Sequence, residues 1–376
     1  MWKYIVLVGL LLSMPLPAGA QQACPAWHGV VQLRQSVQLP PGCVFSGVEL
    51  RVEHQQGLVL DMNGARFNAD GHKIRGLWVM NTRPGRPSRD VVFKNAVFDG
   101  YLEGVRVHRN ISPAEARQVK AGRLSLDKLR ATATHHIRLE NIQVLNSLGN
   151  GVVFHGGVHH VRLTGSVVAN SGGVGIYFGD MTHHIEVSGS QVYGNGYRKP
   201  DGSSRRGRGR RENIAIDGSF NNRIVGNTIR DAAEGGIAVY KNCYEHADDV
   251  GQLPRLDAAQ GNGIYGNAIT GNHGYGIHLG ERQDWEQSAF DCGDPLYYAE
   301  GGRYYRDQAS RNVVQDNDVL DNGKDIVVHD DANTITHNRT GGIWVGSRIR
   351  QAAGEPVSGT VLTGNTGSVH YQFGGS

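Results

Sequence analysis

Six histidines stand in three doublets, His135-His136, His159-His160 and His183-His184, each doublet 24 residues after the last. Imidazole is the commonest metal ligand and titrates near neutral pH, so this pattern suits either a metal site or a structural repeat. No CxxC pair or mixed-ligand signature accompanies the column, which weakens the metal reading. The second histidine of each doublet aligns with Asn222, Asn262 and Asn312 in later segments. Because Asn fills the slot where His does not, the reading is a hydrogen-bonded ladder at the turn before a strand, and the doublets serve to fix a register.

That register belongs to a repeat. "HHIRLENIQVLNSLGNGVVFHGGV" and "HHVRLTGSVVANSGGVGIYFGDMT" align without gaps, and further copies start at residues 183, 221, 261 and 311. Each carries alternating apolar residues, an Asn- or Gly-rich turn and a second alternating strand, the pattern of strands with one buried face. A period near 24 with two or three short strands per unit fits the coil of a parallel β-helix. The second strand reads GLWVMN (76–81), GVRVHR (104–109), GVVFHG (151–156), GIYFGD (175–180), NIAIDG (213–218), GIAVYK (236–241) and GIHLGE (276–281), then DIVVHD and GIWVGS. Positions two and four are apolar in every copy and should stack inward; positions three and five must then face outward.

The outward stripe gathers the residue types that could do chemistry. It runs through Trp78, Arg106 and His108, then Val153, His155 and Tyr177, then Asp217, Tyr240 and His278. Arg109, Asp180, Lys241, Glu281 and Asp330 follow at strand ends. Neighbouring strands lie about 4.8 Å apart, so these side chains touch between coils. Aromatic faces accept sugar rings, and Arg and Lys pair with carboxylates or sulfates.

Insertions at 110–134, 196–212, 242–260 and 282–310 all flank this second strand, and long loops on one face of a rigid scaffold are where binding sites lie. Ser112-Pro113-Ala114-Glu115 reads as an N-cap, N1 proline and capping box, so the first insertion is a short helical excursion. The third contains Cys243 and the fourth Cys292, and residues 205–211 hold five arginines in seven positions.

The whole pattern, with turns such as "GNTI", "GNAI" and "DNDV", resembles the right-handed parallel β-helix superfamily of pectate-lyase-like and carbohydrate-binding proteins over roughly residues 45–370. The fold class that follows is all-β: a single-stranded right-handed parallel β-helix, a solenoid with loop insertions. "DGSFNNRIVGNTIRDAAEGGIAVYKN" and "GNAITGNHGYGIHLGE" look like the central coils of chondroitinase-B-like and alginate lyases. The Lys those families place in this turn falls on Gly218, before Ser219, and their Arg falls on Tyr240 or Lys241. Some relatives use calcium; the oxygen donors available to it here are Asp180, Glu212, Asp217 and Glu234, without a spacing that defines a site.

Four chemistries suit the stripe. β-Elimination on a uronic-acid polymer needs a base, an acid and a cation for the carboxylate. Tyr240 or Lys241 would be the base, oriented by Asp217, and His278 the acid. Arg106, Arg208, Arg210 and Arg211 would bind the anion, and His108, His155, Tyr177, Asp180 and Glu281 would line the substrate. C5-epimerisation shares the proton abstraction, but the Asp-Pro-His-Asp motif associated with alginate epimerases is missing. Hydrolysis needs two carboxyls flanking the bond; Asp180 and Asp217 qualify, while the paired Asp-Asp and Gly-His-Gly patterns of polygalacturonases are missing. A non-catalytic binding or structural module is the fourth. The lyase reading leads, with no cofactor required.

Composition agrees with an exported protein. The chain has 376 residues, 53 of them Gly, and a formal net charge of +3. Gly without a three-residue period excludes collagen and favours many turns. Residues 1–20 read as a cleavable signal peptide, and their apolar run is too short to span a bilayer. Residues 21–50 are expected as an N-terminal cap and 51–376 as the solenoid. The four cysteines imply disulfides; proximity favours Cys24–Cys43 and Cys243–Cys292. The expected setting is the periplasm or outside the cell, as a monomer. The partner is an anionic polysaccharide rather than nucleic acid, because an exported Arg-rich loop meets acidic glycans first.

Overall fold

A computed structural model describes residues 23–72, 74–83, 85–179, 181–197, 209–241, 257–280 and 308–372, together with the backbone of a hairpin at Leu296–Ala299 and Gly302–Tyr305. The signal-peptide segment, Cys243 and Cys292 lie outside the described residues. The chain winds as a parallel β-helix. One sheet stacks twelve strands among the described residues, from Val30–Gln32 to Ser368–Tyr371. A second sheet holds the first strands of each coil and the short strands that follow them. The sheet begins inside the segment expected as a cap, because Val30 already pairs with Glu49. Cys24 and Cys43 are disulfide-bonded there. Trp27, Phe45, Phe67 and Phe98 stack ring on ring behind them, with centroids 5.0 to 5.2 Å apart.

The register is the one read from the alternating apolar residues. Leu77, Val105, Val152, Ile176, Ile214, Ile237 and Ile277 pair in succession. All are fully buried, as are Val79, Val107, Phe154, Phe178, Ile216, Val239 and Leu279. Burial of this continuous column is the main apolar driving force for stacking.

Corners are held by side-chain amides. Asn267 lies at one of them, 1% exposed. Its Oδ1 accepts from the backbone N–H and Nδ2 of Asn227, and its Nδ2 donates to the Ile224 carbonyl and to Asn317 Oδ1. The ladder continues through Asn338 to Asn365. A parallel ladder runs Asn222, Asn262, Asn312, Asn333.

The histidine doublets stack, but one residue out of register with those asparagines. His183 bridges Phe220 and Glu186 pairs with Arg223, so His184 lies beside Asn221, and it is Ile185 whose N–H donates to Asn222. The reason is conformational. Asp90, His136, His160, His184, Asn221, Gly261, Arg311 and Ala332 form one corner column, all with φ between 52° and 66°. Gly tolerates this left-handed region best, with Asn, Asp and His also enriched there. His135, His159 and His183 form the adjoining column, stacked at 5.0 and 4.8 Å, and Phe220 continues it at 5.0 Å. A phenyl ring in the next slot identifies the column as a stack.

The insertion at 110–134 holds two helices, α1 (Pro113–Lys120) and α2 (Leu126–Ala131). Ser112 and Glu115 form the capping box read from the sequence, and buried Arg109 ties it to the coil by an ion pair to Glu115 at 2.6 Å. A third short helix spans Arg348–Ala352. No helix among the described residues is long and apolar enough to cross a membrane.

Two stability outcomes follow. Asn267→Ala strands buried backbone and amide partners, and should cost about 3 kcal/mol in urea unfolding; unchanged stability would contradict a structural role for the ladder. Burial, then the neighbouring imidazoles, lowers His159 to about 4 and His183 to about 3, against about 6.5 in the unfolded chain. Their neutral rings therefore contribute fully above pH ~6.5, and that contribution is lost as pH falls toward 4 and then 3. His159→Phe with His183→Phe, which copies Phe220, should flatten the acid-side loss of Tm; an undiminished loss would locate the acid sensitivity elsewhere.

Candidate functional site

The outward stripe divides into three parts along the helix axis. At the N-terminal part, Trp78 lies between the guanidiniums of Arg75 at 4.4 Å and Arg51 at 5.3 Å. Arg106 donates to both carboxylate oxygens of Glu103 at 2.8 and 3.1 Å, and Arg75 pairs with Glu103 at 2.7 Å. The cation expected to receive an anion thus shares an internal carboxylate with Arg75, and the tryptophan face expected for sugar is covered by arginine. His108 sits next in this stripe. Burial, then His155 and the nearby arginines, holds it well below the usual histidine range, so it is neutral at physiological pH.

The middle part brings several of the expected residues together. His155, Asp217 and Tyr240 occupy strand position five, with Gly179 between His155 and Asp217; Tyr177 occupies position three. The Tyr177 hydroxyl donates to Asp217 Oδ2 at 2.8 Å. The expectation had Asp217 orienting Tyr240 or Lys241. Asp217 pairs in register with Tyr240 and accepts from the Tyr177 phenol on the preceding coil. Tyr177 is half-buried, whereas Tyr240 is 3% and Lys241 0% exposed.

Gly179 makes the cluster possible, and it was not singled out in the sequence. A Cβ there would stand 2.7 Å from both His155 Cδ2 and Tyr177 Cε1, so the two rings close over the position. Beyond Tyr177 the column continues with Ala215 and Ala238 before reaching His278. Tyr177 and Tyr275 pack against these alanines from either end. Small residues in an outward column bounded by aromatics were the available sign of this arrangement.

The C-terminal part is a second aromatic group. Tyr275 donates to Glu212 Oε1 at 3.1 Å and lies 5.0 Å from the His278 ring, and His278 Nε2 is 3.0 Å from His329 Nδ1. Tyr275 and His329 were not among the expected site residues. Arg210 and Arg211 lead into the Ile214–Asp217 strand, and the Arg211 carbonyl accepts from the Glu234 N–H. Asp180, Arg208 and Glu281 lie outside the described residues. Of the calcium donors, Glu212 and Asp217 each accept a tyrosine hydroxyl. A calcium ion takes six to eight oxygens, and no group of three or more His, Cys, Asp or Glu among the described residues is arranged to hold a metal.

The right-handed β-helix region family model matches residues 126–284. With the stacked parallel coils, this gives the chain the fold of a right-handed parallel β-helix. No curated protein sequence matches it. Similar solved structures include the A-module of the Azotobacter vinelandii mannuronan C-5 epimerase, at 14% identity and TM-score 0.48 over 88% of this chain and 80% of that one. A periplasmic alginate epimerase matches at 14% identity and TM-score 0.45 over 93% and 78%. The catalytic domain of a GH87 α-1,3-glucanase matches at 11% and 0.38 over 91% and 60%. At these values the neighbours carry no information about the chemistry of this chain.

Gly179→Ala should push His155 and Tyr177 apart while leaving the inward core intact. The measurable result is a change in the Tyr177–Asp217 distance in a crystal structure with Tm lowered by no more than a few degrees. Unmoved rings would show that Gly179 does not set their approach.

Proposed function

We propose that this chain is an exported polysaccharide-active protein that cleaves an anionic, uronic-acid-containing polymer by β-elimination on its outward second-strand face. The observation that carries the reading is the Tyr177–Asp217 hydrogen bond, a half-exposed phenol polarised by a fully buried carboxylate. The Cys24–Cys43 disulfide supports an oxidising compartment.

In this reading the proton on C5, alpha to the sugar carboxylate, passes to the Tyr177 oxygen as the phenolic proton passes to Asp217. The electron pair forms the C4–C5 double bond, the C4–O bond breaks, and the leaving oxygen takes a proton from the His155 ring. Arg210 and Arg211 supply positive charge for the carboxylate. Half-burial favours Tyr177 over Tyr240 and Lys241 as the group that reaches substrate. His278 is three coils from Tyr177, about 14 Å at the strand spacing. It therefore serves a neighbouring sugar unit rather than the same bond.

The test is incubation of the mature protein with alginate, pectate, hyaluronan and chondroitin, following the far-ultraviolet absorbance of the unsaturated product. The expected result is a rise with at least one polymer, reduced about 100-fold or more in Tyr177→Phe and Asp217→Asn at unchanged Tm. Deuterium at C5 from heavy water without cleavage would replace elimination by epimerisation. Reducing ends without unsaturation would replace it by hydrolysis, and binding alone would leave a non-catalytic module.

A further inference from the structure

The histidine doublets take no part in the reaction proposed above, yet they line a cleft. It has a volume of about 540 Å³ and lies on the first-strand face, adjoining the stripe. Its wall is the corner column of second histidines. His136 stacks on His160 at 5.0 Å and His160 on His184 at 5.0 Å, with interplanar angles of 15° and 3°. All three rings are exposed. The next outward column carries Arg138, Arg162, Glu186 and Arg223, one per coil and paired in register.

Charge in this cleft is arranged in a line. Three guanidiniums line it together with two carboxylates, Asp90 and Glu186. The ion pairs Arg138–Glu140 and Arg223–Glu186 are long, 3.7 Å each, and both arginines are 58% exposed. Such pairs contribute little and are readily exchanged for another anion. Near-parallel rings repeating at each coil do not converge on a point, so a single ion would meet only part of the column. A linear polymer with an acidic group on each unit would meet all of it.

His160 is also set to respond to pH. His160 is held below the usual value by burial, then by His136 and His184. The inner column adds His135, His159 and His183, and Arg130 of α2 acts on His183. Nδ1 of His160 lies 2.7 Å from Nδ1 of His159, and His184 and His183 repeat that contact. One nitrogen of each pair must donate and the other accept, so each pair keeps at least one ring nitrogen unprotonated. Protonating neighbouring rings places like charges 5.0 Å apart. A bound polyanion offsets that repulsion, so binding takes up protons and strengthens as pH falls.

We propose that this cleft is a second binding site, separate from the stripe, for a linear acidic polysaccharide that is held more tightly in acid. It uses none of Tyr177, Asp217 or His155, so failure of the elimination reading leaves it standing. The test measures polygalacturonate binding by calorimetry to the full-length mature protein carrying Tyr177→Phe, with dextran as the neutral control. Affinity should rise about ten-fold between about pH 7.5 and about pH 5.5. His136→Asn, His160→Asn and His184→Asn together should remove that rise. Asn suits the corner because Asn221 already occupies it at φ 53°. Arg138→Gln with Arg162→Gln should weaken binding at both pH values. An undiminished rise in the triple variant would overturn the proposal. So would inorganic sulfate, or a short DNA duplex, that binds as tightly as polygalacturonate.

Discussion

From Ser190 onward the described coils turn one corner through buried polar backbone, and the side-chain amide that satisfies one coil's N–H comes from the next. Asn227, Asn267, Asn317 and Asn338 each accept from the coil before and donate to the coil after. An unpaired amide in such a place costs more than an ordinary hydrogen bond gains, so the ladder fixes how one coil sits on the next. Apolar burial supplies the driving force, but it tolerates slippage along a column of similar Val, Ile and Leu side chains. Directional bonds at the corners do not.

A fixed register turns the second-strand face into a set of straight columns with predictable neighbours. Position three places Tyr177, Ala215, Ala238 and His278 in one line, and position five places His155, Gly179, Asp217 and Tyr240 in the next. A one-residue slip would bury Tyr177 and expose Phe178. The Tyr177–Asp217 bond and the closure of His155 and Tyr177 over Gly179 thus depend on corner amides they never touch. The same regularity lines up the histidines and arginines of the adjoining cleft.

Fold and register were legible because both rest on period-two alternation and on repeat length, which a linear sequence displays directly. The stripe residues were legible for the same reason. Which of them bond one another was not, since that depends on side-chain orientation: Asp217 accepts from Tyr177, two positions earlier in the strand frame and one coil before. Nor could the stripe alone reveal that Glu103, two positions before Val105, would neutralise Arg106. The His–Asn alignment slipped by one because both residue types sit at the same turn for different reasons. His136, His160 and His184 share a left-handed backbone with Asn221, whereas Asn222 is the amide of the ladder. The first coil at Val30–Gln32 escaped notice because that strand is too short for alternation to register.

The central claim is that the stripe around Tyr177 holds a uronate with C5 facing the phenol. A crystal structure of Tyr177→Phe soaked with an oligouronate from the polymer that the protein turns over tests it most directly. The account predicts a carboxylate-bearing ring beside residue 177, with C5 facing it and the scissile oxygen toward His155. An oligouronate bound at the Trp78 end of the stripe, or one whose C5 faces away from residue 177, would contradict it.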